Sequence, residues 1–92
     1  MAIPLRKPNE IEKLRIANIA VAKTLNYLKN SVKAGMTLKE VDTIGEKFLR
    51  NLGARPSFKG LYGFPAAICT SLNEVIIHGI PSDVVLKDGD IL

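Results

Sequence analysis

PSFKGLYGFPAAICTSLNEVIIHGIP, residues 56–81, is the stretch on which the fold turns. Its first ten residues, 56–65, carry two glycines, two prolines and four large apolar or aromatic side chains. Gly and Pro at that density end helices and strands, so the segment is expected to be a loop. Its aromatics, Phe58, Tyr62 and Phe64, admit two readings: core side chains, or the wall of a ligand pocket, which is often aromatic. The texture then changes. Residues 67–72 and 75–78 are apolar runs of strand length on either side of Asn73 and Glu74, and they predict an antiparallel hairpin. Gly79, Pro81 and Ser82 end the second strand.

Two side chains in this stretch could carry chemistry. His78, the one histidine of the sequence, closes the second strand next to Gly79, a place from which a side chain can enter a cleft. An imidazole titrates near neutral pH and suits proton handling or hydrogen bonding. The same position also suits a purely structural histidine. It cannot make a metal site alone, because catalytic sites of the zinc type use about three protein ligands. Cys69 is a nucleophile in principle, but it lies in an apolar run, where a small buried or pocket-lining residue is the simpler reading.

Downstream, Val84, Val85 and Leu86 form a brief apolar run, and Lys87-Asp88-Gly89-Asp90 follows as a turn signal. Asp88 and Asp90 flank the turn glycine and read as turn residues, not ligands. Ile91 and Leu92 then read as the opening of a further strand, so the sequence is expected to be the front part of a longer chain.

Upstream, two helices are predicted. Ile11, Leu14, Ala17, Val21, Leu25, Leu28 and Val32 recur at steps of three or four and share one face, over about 9–33. Either Asn9 caps this helix, with Glu12 three residues on, or Pro8 is its first residue. Gly35 is a natural stop. Thr37 and Glu40 form a Thr-x-x-Glu capping box for the second helix, over about 38–52, with Met36 and Val41 placed as a hydrophobic staple. Leu38, Val41, Phe48 and Leu52 give its apolar stripe, Glu46 and Arg50 an i,i+4 pair, and Gly53 its end. Both stripes need another surface to cover them.

Composition sets the outer bounds. Ninety-two residues make one small domain or a piece of a larger one, and with 47% apolar residues a core can form. No apolar run reaches the roughly 18–20 residues of a membrane span, and the start MAIPLRKPNE lacks the apolar segment of a secretion signal. A single cysteine excludes an intrachain disulfide and fits a reducing, cytoplasmic setting. The net charge of +4 is uneven: twelve of the thirteen Lys and Arg lie in residues 1–60. That basic half could face nucleic acid or a ribosome, but the cations are scattered at helical positions and mainly keep a face solvated.

The run 56–81 closely resembles the first-half signature of the type I, bacterial, methionine aminopeptidases. The matching residues are Phe58, Gly60, Gly63, Phe64, Pro65, Cys69, Ser71, Asn73, Glu74, His78, Gly79, Ile80 and Pro81. KDGDIL at 87–92 and the helix opening near PNEIEKLR agree with the same family. The resemblance implies the N-terminal part of a pita-bread fold, an α+β arrangement of two helices plus antiparallel strands, with residues 1–92 as one part of a single catalytic domain. It implies an enzyme that removes the initiator methionine when the second residue is small, with two divalent metal ions of the cobalt, manganese, iron or zinc type.

The family's metal ligands are two aspartates, a histidine and two glutamates. By resemblance all five lie beyond this sequence, so no metal is expected on this chain alone and no activity from it. What carries over is the substrate side. His78 matches the histidine that hydrogen-bonds substrate near the scissile amide. Phe58, Leu61, Phe64 and Cys69 match positions that line the methionine pocket, where a thiol and flat rings suit a polarizable thioether. Leu61 stands where many members have tyrosine, which leaves that wall without a hydroxyl. The implied partners are methionyl N-termini of nascent proteins, with the ribosome nearby and no membrane; the chain alone is expected to self-associate. A non-catalytic pita-bread relative used for binding, or a proline-specific peptidase relative, is the alternative reading.

Overall fold

The computed structural model describes residues 2–92 and contains two helices, α1 (Pro8–Ser31) and α2 (Leu38–Asn51), followed by a long irregular chain with one 3-10 turn at Leu61–Gly63. Helix α1 opens with Pro at its first position, where a missing N–H costs nothing. Glu10 Oε1 accepts from the Lys7 amide at 2.8 Å, so the start lies at Pro8, one of the two openings the sequence allowed. Helix α2 begins at the expected capping box. Thr37 Oγ1 accepts from the Glu40 amide at 3.1 Å, and Glu40 Oε2 from the Thr37 amide at 3.2 Å.

The first turn of α2 is also strapped by distant chain. The Leu38 and Lys39 amides donate to Val84 O and Ser82 O at 3.1 and 3.0 Å. Gly35 N donates to Leu86 O, and Leu86 N to Met36 O, each at 2.8 Å. The Leu38 and Lys39 amides would otherwise lack partners within α2, since a helix cannot satisfy its own first amides. The strap yields the one isolated antiparallel bridge, between Thr37 and Val85.

The core is small. Leu38, Val41 and Leu86 are buried together, with Leu28, Val32, Ile68 and Leu72 packed against them. Tyr27 of α1 and Phe48 of α2 stack with ring centroids 4.4 Å apart and planes 14° off parallel. Gly45 lets three elements meet: a Cβ there would lie 3.3 Å from Ile68 Cδ1 and 3.5 Å from Leu28 Cδ1. The predicted stripe on α1 is covered only at its C-terminal end. Ile11, Leu14, Val21 and Leu25 are exposed, Leu25 by 62%. The Cα radius of gyration, 15.1 Å, exceeds the roughly 12 Å of a compact domain of this length.

The antiparallel strands expected at 67–72 and 75–78 are absent: the described residues contain no strand, so the α+β assignment is corrected to helices plus ordered irregular chain. The reason is where the backbone amides go. Ala67 N and Ile68 N both donate to Asp42 Oδ1 at 2.9 Å, and Gly79 N donates to Ser71 Oγ at 3.1 Å. Asn73 and His78 take left-handed backbone angles, φ 52° and 57°, which break extended geometry. Two backbone bonds of hairpin type remain, Val75 N to Leu72 O at 3.0 Å across the turn and Thr70 N to Gly79 O at 2.7 Å.

Because Gly45 sits at a three-way contact, Gly45→Val should destabilise the fold by about 1–3 kcal/mol. Gly45→Ala should stay within about 1 kcal/mol of the parent, as better helix propensity offsets a tight methyl. Urea unfolding of the two variants checks this; a Val variant as stable as the parent would show that α1, α2 and Ile68 do not pack through residue 45.

Candidate functional site

Residues 58–81 are irregular yet anchored at several points. At their start, Lys59 Nζ reaches Glu46 Oε1 of α2 at 2.9 Å, and Arg50 Nε reaches Glu46 Oε2 at 2.8 Å. The sequence predicted the Arg50 pair; the Lys59 contact is new. Together they hold the Glu46 carboxyl below its usual range, the Lys59 hydrogen bond contributing most and the Arg50 bond next. Asp42, one turn earlier on α2, anchors the middle of the segment through Ala67 and Ile68.

At the far end, Asn73 bonds residue 91 on both sides: its amide donates to Ile91 O at 2.7 Å, and its Oδ1 accepts from Ile91 N at 2.9 Å. Its Nδ2 donates to Asp90 Oδ1 at 3.1 Å. Asp90 Oδ2 accepts from the Lys87 amide at 2.8 Å. That backbone bond first, and Asn73 second, hold the Asp90 carboxyl below its usual range. Asp90 thus acts as the cap of the turn around Gly89, where φ is 92°.

The residues that the sequence placed on the substrate side are not all brought to one surface. An open groove of about 1070 Å³ runs between α1 and the 67–71 segment. Phe58 and Cys69 line it, with Ala17, Val21, Leu25 and Leu92 among its other walls. Cys69 is half-buried with a free thiol. Phe64 stands against Phe58, ring centroids 6.0 Å apart and planes 51° off parallel, so the two rings form one aromatic wall. Leu61 is exposed in the 3-10 turn beside Tyr62, a residue with φ 49° and no burial at all. His78 is exposed and lies outside the groove lining; the Thr70–Gly79 bond places the residue after it beside the one after Cys69.

Sequence reasoning missed three members of this arrangement: Asp42, Lys59 as a second partner of Glu46, and Ser71 as an acceptor. No local pattern marks Asp42, whose partners are 25 and 26 residues away. Gly79 did carry a signal, a glycine directly after the histidine. A Cβ there would lie 2.1 Å from Thr70 O, so only glycine fits.

The chain belongs to metallopeptidase family M24, whose model matches residues 12–92. Within that class its relatives are methionine aminopeptidases. It is similar to the enzyme of Helicobacter pylori, 51% identical over 92 residues, which is 100% of this chain and 36% of that protein. Its path follows the crystal structure of methionine aminopeptidase from Rickettsia prowazekii, with a TM-score of 0.91 at 35% identity, covering 97% of this chain and 36% of that one. The structure from Thermotoga maritima gives a TM-score of 0.90 at 37% identity over the same shares. The path of this chain is therefore that of the corresponding part of the methionine aminopeptidase fold, the pita-bread fold. The chain spans about a third of the length of the relatives it matches.

A metallopeptidase family implies divalent metal. Among the described residues, however, no group of three or more His, Cys, Asp and Glu comes together that could hold one. The residues present do not fit a metal, and no chemical step is assigned to one on this part of the fold. Among the described residues no helix is long and apolar enough to cross a membrane.

The Glu46 cluster gives a pH prediction. A carboxyl whose folded pKa lies below its unfolded value, 4.5, stabilises the fold above that value and loses the contribution as pH falls through the folded pKa. Glu46→Gln should therefore cost stability near neutral pH, and the difference from the parent should shrink as the pH falls below 4.5 and through the lowered folded pKa. The effect should be modest and shrink in high salt, since Arg50 and Lys59 are about half exposed. Denaturation across this pH range, with and without salt, checks it; a pH-independent difference would refute the charge origin.

Proposed function

We propose that this chain is the N-terminal part of a cytosolic methionine aminopeptidase, an enzyme that removes the initiator methionine from nascent proteins whose second residue is small. The observation that carries the reading is the match along the whole chain, 51% identity to one methionine aminopeptidase and a TM-score of 0.91 to another. The central motif supports it further, because Phe58, Gly63, Phe64, Cys69, Asn73, His78 and Gly79 fall inside that match.

In this reading the described residues supply the substrate side. Phe58 and Phe64 form an aromatic wall, and Cys69 faces the same groove as Phe58. A thiol and two rings offer polarizable, apolar contact to a thioether side chain. Leu61, exposed on the 3-10 turn three residues after Phe58, is the apolar side chain assigned to the mouth of the methionine pocket. His78, exposed at the end of the segment, donates a hydrogen bond near the scissile amide of a bound methionyl peptide. The bond strengthens as the carbonyl becomes tetrahedral and gains charge. The two divalent metals that the family's name implies would be held by the part of the relatives this chain does not span. Nascent chains emerging from the ribosome are the substrate class.

His78→Ala in the full-length protein should lower turnover about 10²–10³-fold, the usual loss for one transition-state donor. Substrate KM should change far less, because the interaction acts mainly in the transition state. Steady-state kinetics on a Met-Ala peptide beside a divalent-metal titration separates the roles. A variant that no longer binds metal, but turns over normally once metal is in excess, would contradict the assignment.

A further inference from the structure

We propose that Ser71 is a positioning residue for His78, acting through the Gly79 amide; the proposal rests on His78 being the substrate donor described above. His78 has φ 57°, a left-handed angle that costs an L-residue energy and persists only where its surroundings impose it. The flanking stretch gives little help. Ile76 and Ile77 are 90% and 66% exposed. The imposition comes from the next residue. Gly79 N–H donates to Ser71 Oγ at 3.1 Å, and Gly79 O accepts from Thr70 N at 2.7 Å and Thr70 Oγ1 at 3.5 Å.

The geometry of the peptide unit makes this specific. The Gly79 N–H lies in the plane that joins residues 78 and 79, so holding its direction constrains ψ of His78 and the backbone frame from which its side chain leaves. Ser71 holds that N–H; Thr70 holds the carbonyl beyond it. Thr70 is buried and Gly79 is pressed against it, which leaves the pair little room to slide. Thr70 and Ser71 directly follow Cys69 in sequence. One clamp therefore also sets the spacing between the histidine and the thiol of the groove, which is the spacing between the donor and the side-chain pocket of a substrate.

The test is a double-mutant cycle in the full-length, metal-loaded protein. Ser71→Ala should lower kcat roughly 10- to 100-fold, the loss typical of releasing an orienting partner, with KM little changed. In a His78→Ala background the same change should cost no more than about twofold. Ser71→Thr, which keeps a hydroxyl, should retain kcat. Should Ser71→Ala fail to fold, Ser71→Cys takes its place, a similar volume with a weak acceptor. A second readout needs no turnover: with histidine labelled by 13C and 15N, the Cα shift of His78 should leave its left-handed position in Ser71→Ala. Equal losses of kcat in both backgrounds, or an unmoved His78 shift, would overturn the proposal and leave the role of His78 intact. A His78→Ala variant with unchanged kcat would overturn both.

Discussion

One carboxylate ties the irregular half of this chain to its helices. Asp42, a turn and a half into α2, accepts from two consecutive amides, Ala67 and Ile68, at 2.9 Å each. Hydrogen bonds to a charged acceptor are stronger than neutral ones, and two from adjacent residues fix the direction of the chain as well as its distance. Ala66 and Ala67 are buried at this point, and Ile68 drops into the space left by Gly45. The position of Cys69, directly after the second of these amides, follows from that anchor. In a strand, the same two amides would point to opposite sides and would be satisfied by different neighbours. Here one side chain takes both, and the local chain bends.

Helix α2 consequently acts as a spine with three attachments. Its first turn accepts the strap at 82–86, its middle holds 67–68 through Asp42, and its C-terminal half holds the aromatic loop through Glu46 and Lys59. Helix α1 has no comparable role; it meets the core mainly through Leu28 and Val32 and through the Tyr27–Phe48 stack. Much of its apolar face borders the open groove instead. The division explains why the small core can sit at one end of a 24-residue helix while most of that helix carries exposed apolar residues.

Both helices were legible in the sequence because their signals are local. A capping box spans three residues and an apolar stripe repeats every three or four, so Thr37, Glu40 and the α2 stripe could be read directly. The turn at 87–90 was legible for the same reason, with Gly89 supplying the positive φ and Asp90 the cap. The strands were misread. Apolar runs such as 67–72 and 75–78 have strand composition, but composition says nothing of whether amides find a neighbouring strand or a carboxylate 25 residues away. The motif at 56–81 located the candidate site by its residue types and included Ser71, yet it did not show that Ser71 accepts from Gly79, nor that Asp42 and Lys59 hold the segment to α2. Long-range acceptors are invisible to periodicity.

Among the described residues the three non-glycine positions with positive φ, Tyr62, Asn73 and His78, all lie in the segment that carries the candidate site. Helices and strands permit no such angles, so a site that needs them must be built on irregular chain and stiffened from outside. That requirement accounts for the pattern of anchors. Asn73 is an amide residue, which tolerates the left-handed region well, and it is further held by three bonds to residues 90 and 91. Tyr62 lies between Gly60 and Gly63, both with positive φ, and is fully exposed, so that turn is shaped by glycines with nothing packed on the ring. His78 has neither advantage: its side chain gives the backbone no amide-type support, and its one close neighbour of permissive geometry, Gly79, is itself pressed against Thr70. The fixed points nearest residue 78 are the bonds that Gly79 makes with Ser71 and Thr70, seven and eight residues before the histidine. Backbone energy of this kind is retained where direction matters more than stability, which is the condition that the donor role proposed for His78 sets.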